Sequence, residues 1–121
     1  GKVSREQYIW YLKNAYLLVN CKRPGGYNSY GLSSKVIEYL YSGNPVLLTK
    51  ADEFKDLLSD MKNVIYINYS FESFFEKVIW VLNNKKEAIT IGYHGMVIAE
   101  YLFSINKMAS TLLFKVEKSR V

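Results

Sequence analysis

Residues 16–20, Tyr16-Leu17-Leu18-Val19-Asn20, and residues 30–48, Tyr30-Gly31-Leu32-Ser33-Ser34-Lys35-Val36-Ile37-Glu38-Tyr39-Leu40-Tyr41-Ser42-Gly43-Asn44-Pro45-Val46-Leu47-Leu48, set a short apolar run, a helical period and a second apolar run in succession. A short, continuously apolar run suits a strand buried on both faces, as in a parallel sheet. Between the two stretches, Cys21 to Tyr30 holds Pro24-Gly25-Gly26 among polar residues and reads as a loop leaving the carboxyl end of the first strand. From Leu32 to Tyr41 the apolar positions Val36, Ile37, Leu40 and Tyr41 recur at helical spacing, with Ser33 or Ser34 placed to cap the start. Gly43 ends the helix, Asn44-Pro45 turns the chain, and Val46-Leu47-Leu48 begins the second strand.

Upstream, Ser4 and Gln7 have the spacing of a capping box, and Tyr8, Ile9, Tyr11, Leu12 and Ala15 predict a helix over 4–15. Downstream, residues 51–59 suggest a short helix with acidic residues in its first turn, and Val64-Ile65-Tyr66-Ile67 a third strand. Residues 70–83, 85–102 and 104–118 then read as three helices. Strands separated by helices at this rhythm give an α/β fold: a Rossmann-like parallel sheet with right-handed crossovers, helices on both faces and a helical C-terminal end. The first element appears without an opening strand, so earlier strands are expected upstream in a longer natural protein, and residues 1–121 are expected to be one partial domain.

Half of the residues are apolar and 16% are aromatic, enough for a packed core and against disorder, so the composition reads as soluble and globular. The formal charge of +5 would favour anionic ligands, but the basic residues are scattered and form no arm, which argues against nucleic acid. A single cysteine, Cys21, excludes an internal disulfide, and with His94 as the sole histidine no Cys/His zinc cluster can form; no metal is expected. His94 reads as structural and Cys21 as an inert loop thiol. No apolar run approaches the ~20 residues that span a bilayer, and the first residues do not form a signal peptide. A cytoplasmic location is expected, with contact of the full-length protein at the inner face of the membrane left open. The last helix, with Lys107, Lys115, Lys118 and Arg120, is amphipathic and reads first as packing on the sheet or on another domain.

A loop that leaves the carboxyl end of a parallel strand and enters a helix is where open α/β sheets bind ligands, since free N–H groups and the helix dipole point there at an anion. Here that junction is Tyr27 to Lys35. Ser33 and Ser34 add hydroxyls, Lys35 a positive charge, and Gly31 close access to the backbone. Glu38 shares a face with Ser34, Lys35 and Ser42. Its carboxylate can accept two hydrogen bonds from vicinal hydroxyls such as those of a ribose. The alternative is that Lys35 and Glu38 form an exposed ion pair with no ligand, contributing roughly 0.2–0.5 kcal/mol. Arg23, at the start of the loop, faces the same crevice.

The run from Asn20 to Val46 resembles a signature of GT-B-fold glycosyltransferases of the group 1, family 4-like type. The matching residues are Asn20, Arg23 and Pro24, then Tyr30, Ser34 and Lys35, then Glu38, Tyr39 and Leu40, and finally Ser42, Gly43, Pro45 and Val46, without a gap from Tyr30 onward. A weaker similarity extends from Gly1 to about Leu113. What it implies is a truncated C-terminal nucleotide-sugar-binding domain, in which Glu38 binds the donor's ribose and Gly31, Leu32, Ser33 and Ser34 hold the diphosphate, with Lys35 assisting. Tyr30 stands eight residues before Glu38, where many relatives carry a second glutamate, so half of the usual carboxylate pair is missing. Ser33 replaces the proline of the commoner variant.

The expectation is therefore a hexosyltransferase-like enzyme of polysaccharide or glycoconjugate synthesis. It needs no cofactor beyond its nucleotide-diphosphate-sugar donor. Its partner is an N-terminal acceptor domain outside this chain, without which the fragment is inactive. The catalytic residues are unassigned. Two other readings stand beside it: an epimerase-like GT-B enzyme, and a non-catalytic α/β interaction module in which residues 30–38 are only a well-capped helix.

Overall fold

The computed structural model describes residues 3–23, 34–51, 54 and 56–119, with only the backbone of Ser34, Phe103 and residues 105–119. Helix α1 (Arg5–Asn14) starts as the sequence predicts. The Ser4 hydroxyl accepts the Gln7 N–H at 3.1 Å and the Gln7 side chain accepts the Ser4 N–H at 3.0 Å, so two free amides of the first turn are satisfied reciprocally. Strand β1 (Leu18–Asn20) follows, then α2 (Ser34–Tyr41), β2 (Val46–Thr49), β3 (Ile65–Ile67), α3 (Phe71–Asn83) and α4 (Lys85–Ser119).

The three strands form one parallel sheet in the order β1-β2-β3, with Leu18 opposite Val46, Asn20 opposite Leu48, and Leu47 opposite Ile65. Because side chains alternate along a strand, β2 sends Val46 and Leu48 to one face and Leu47 to the other. The first face packs on Val36 and Leu40 of α2 and Ala99 of α4; the second, with Ile65 and Ile67, packs on Val81 of α3 and Ala88 and Ile91 of α4. Helices thus cover both faces of a Rossmann-like sheet, and all four residues of β2 are buried. Their near-continuous hydrophobicity is the pattern a two-sided parallel strand requires.

Helix α4 feeds both clusters and seats α2. A side-chain carbon added at Gly92 would run into the Gly43 carbonyl and lie 2.6 and 2.7 Å from backbone atoms of Asn44 and Pro45; one at Gly95 would lie 2.7 Å from the Asn63 carbonyl and 3.1 Å from Leu40. The two glycines, three residues apart on one helical face, let α4 meet the backbone of two turns. Gly43 has φ of +82°, the left-handed conformation that closes α2 and turns the chain into β2.

Two helix expectations are corrected. Residues 85–102 and 104–118 are one helix, because Phe103-Ser104 lacks proline and an interior serine costs only about 0.5 kcal/mol relative to alanine, too little to stop a helix. Over 51–59 the described residues make turns rather than an α-helix: the Phe54 N–H reaches the Ala51 carbonyl, and the Phe54 carbonyl accepts from Leu57 and Leu58. Phe54 and Leu58 are its buried anchors. Strand β1 is shorter than the apolar run 16–20, with Tyr16 left exposed. Among the described residues, no helix is long and apolar enough to cross a membrane, and no group of His, Cys, Asp or Glu is arranged to hold a metal.

Candidate functional site

The carboxyl ends of the three parallel strands, at Asn20, Thr49 and Ile67, lie along one edge of the sheet. The chain leaves β1 there and is tied to β2 at once, since the Thr49 hydroxyl accepts the Lys22 N–H at 2.8 Å. Asn20 is 8% exposed, and its carboxamide oxygen has no hydrogen-bond partner among the described residues. By strand alternation it lies on the same face as Leu18, the face covered by α2.

Burial of Val36 and Leu40 fixes the rotation of α2, and it leaves Lys35 and Glu38 exposed on the opposite side, as the sequence spacing required. Ser34 opens the helix. Arg23 is exposed at the start of the loop. The expected positions Tyr30, Gly31, Leu32 and Ser33 lie outside the described residues. The geometry therefore brings Lys35 and Glu38 to one exposed helix face.

Glu38 is not paired with Lys35. Its Oε2 accepts a hydrogen bond of 2.7 Å from the Tyr8 hydroxyl of α1, and among the described residues no ion pair joins it to Lys35. Partial burial, then the bond to Glu38 and its negative charge, push the Tyr8 phenol up to about 12, so Tyr8 is a donor at neutral pH. Tyr8 and Glu38 stand at the lip of a groove of about 600 Å³ between Arg5, Tyr8 and Leu12 of α1 and Ile37, Glu38 and Tyr41 of α2. The groove has apolar walls, with a cation and a carboxylate at its rim, a combination suited to a ligand that is part ring and part polar.

Tyr8 was not legible as a site residue. In the sequence it is one member of a helical apolar period, and nothing local links it to a glutamate 30 positions away. A second hollow of about 350 Å³ opens between Cys21 and Tyr69, Ser70, Phe71 and Phe74. The His94 Nδ1 lies 3.2 Å from the Lys62 carbonyl, to which it donates at the turn before β3.

The family model described as glycosyl transferase-like matches residues 1–113. The chain belongs to that family. Its fold is also similar to a crystal structure of Anabaena HepE in complex with UDP-glucose, with a TM-score of 0.65, at 15% identity over 86% of this chain and 29% of HepE. At that identity the likeness shows a shared fold. The chain spans less than a third of the HepE chain. Among curated proteins none matches.

Proposed function

We propose that residues 1–121 are the donor-binding part of a GT-B-type glycosyltransferase, a partial C-terminal nucleotide-sugar-binding domain that acts with an acceptor domain outside this chain. The carrying observation is the exposed carboxylate of Glu38, held on α2 by Tyr8 at the α1/α2 groove in a member of the glycosyl transferase-like family. The similarity to a UDP-glucose complex of HepE supports a nucleotide sugar as the ligand class.

In this reading Glu38 accepts the ribose hydroxyls. The amino end of α2, with residues 30–34 and Lys35, faces the diphosphate. As the sugar leaves, negative charge grows on the diphosphate, and preorganised N–H groups and a cation lower the cost of that charge without having to reorganise. Arg23, exposed at the start of the loop, serves in this reading as a further cation. Acceptor binding and proton removal belong to the other domain. The chain alone then binds donor and transfers nothing, and the product is a polysaccharide or glycoconjugate.

Calorimetric titration with uridine and guanosine diphosphates tests this. One of the two binds the wild type, and Glu38→Ala weakens it by about 1.5–3 kcal/mol, the worth of charge-assisted hydrogen bonds. Equal binding by wild type and mutant would remove Glu38 from the site.

A further inference from the structure

We propose that Tyr8 is a positioning residue for Glu38: its hydroxyl holds Oε2, so that Oε1 and the remaining lone pair of Oε2 are presented to the two vicinal hydroxyls of a ribose. The inference rests on the donor-binding reading above. An ionised carboxylate offers about four lone-pair directions, so one bond from Tyr8 leaves enough for two further donors. A glutamate on a helix surface is otherwise free to rotate, and ordering it on ligand binding costs rotamer entropy. With Tyr8 in place, that ordering precedes the ligand.

Tyr8 is itself held. It lies on the same stripe of α1 as Leu12, one turn on, and the Leu12 carbonyl accepts a hydrogen bond from the side chain of Asn44. Asn44 lies in the turn that ends α2, so α1 is tied at two points to α2 and its end: through Tyr8 to Glu38 in mid-helix, and through Leu12 to the turn. Its first turn is fixed by the Ser4 and Gln7 capping box. The groove beside this contact carries Arg5 one turn before Tyr8, so a ligand seated against Glu38 also meets α1. A tyrosine is well suited to the task, because its phenol has one torsion beyond the ring and, unlike a lysine, orients the carboxylate without neutralising it.

The test compares wild type, Tyr8→Phe and Glu38→Gln by titration with whichever of uridine and guanosine diphosphate binds more tightly, and with its 2′,3′-dideoxy analogue. Glu38→Gln weakens the ribonucleotide at least about tenfold and leaves the dideoxy analogue unchanged. Tyr8→Phe weakens the ribonucleotide roughly threefold to tenfold, also without effect on the analogue, and adds nothing in the Glu38→Gln background. A Tyr8→Phe protein that binds the ribonucleotide as well as or better than wild type, or that loses both ligands equally, overturns the inference while Glu38 keeps its role. If neither diphosphate binds the wild type, or Glu38→Gln has no effect, the ribose reading itself falls and the inference with it.

Discussion

Helices α1 and α2 face each other across the groove and are held by opposite means. Every turn of α2 is anchored by packing: Val36 and Leu40 are 1% exposed, and the turn that ends it is pressed against Gly92 of α4. In α1 no residue is buried, and Ile9, Trp10 and Tyr11 are exposed. Its anchors are polar, from Tyr8 to Glu38 and from Asn44 to the Leu12 carbonyl. Hydrophobic burial is short-ranged and unforgiving of displacement, whereas a single exposed hydrogen bond contributes on the order of 1 kcal/mol. The contrast assigns α2 to the buried frame and α1 to a wall held by polar contacts. Glu38, on the buried-frame side, is reached by Tyr8 from that wall.

The contrast breaks most completely at Gly92. Gly92→Val drives a side chain into the Gly43 carbonyl and the Asn44-Pro45 backbone, which cannot retreat without lifting α2 from α4. Overpacking of this kind costs about 3 kcal/mol or more, so denaturant unfolding should show a large loss of stability or no folded protein. Removing the cap of α1 with Ser4→Ala costs about 1 kcal/mol and should act locally. Amide exchange should rise across residues 5–14 and stay unchanged in β2 and β3, where the chain is fully packed. If β2 exchanges faster as well, the two helices are not independent.

The smallest effect is alkaline. Tyr8 and Tyr66 are both pushed up to about 12, each mainly by burial, then by the bonded Glu38 and by the nearby Asp60 respectively. A phenol whose pKa is higher folded than unfolded lends stability in full below pH 10, and that stability is lost as pH rises through about 12. Tyrosinate absorbance should therefore show these two titrating late, and Tyr8→Phe should remove one of the late pair.

Much of this frame was readable from the chain. The runs at 46–48 and 64–67 are too short and too apolar for anything but buried strands, and the Ser4 box and the Gly43 stop announce their helix ends. Expectation failed where local signals compete with none. At Phe103-Ser104 the helices read over 85–102 and 104–118 run on as one, since the backbone has no reason to break there. At α1 the helical period gave the helix but not its packing: with Trp10 between Ile9 and Tyr11 the apolar residues wrap around it, and much of that surface stays exposed. In the candidate site, the outward turn of Lys35 and Glu38 followed from spacing. The ion pair between them, the other outcome that spacing allowed, did not form, because a tyrosine from a distant helix takes the carboxylate instead.

Gly43-Asn44-Pro45 is outwardly a simple connection between a helix and a strand, the type of place where chains usually accept added residues. Here it joins four elements: it ends α2, its backbone is the floor on which Gly92 of α4 rests, its asparagine bonds to Leu12 of α1, and the Pro45 carbonyl accepts the Leu18 N–H of β1 at 2.9 Å to start the sheet. A tag, a fluorescent reporter or a circular-permutation cut placed at this loop would uncouple four elements at once. A label meant to follow ligand binding belongs instead on the outer face of α1, at Trp10, where the surface is exposed and the groove is one helix width away.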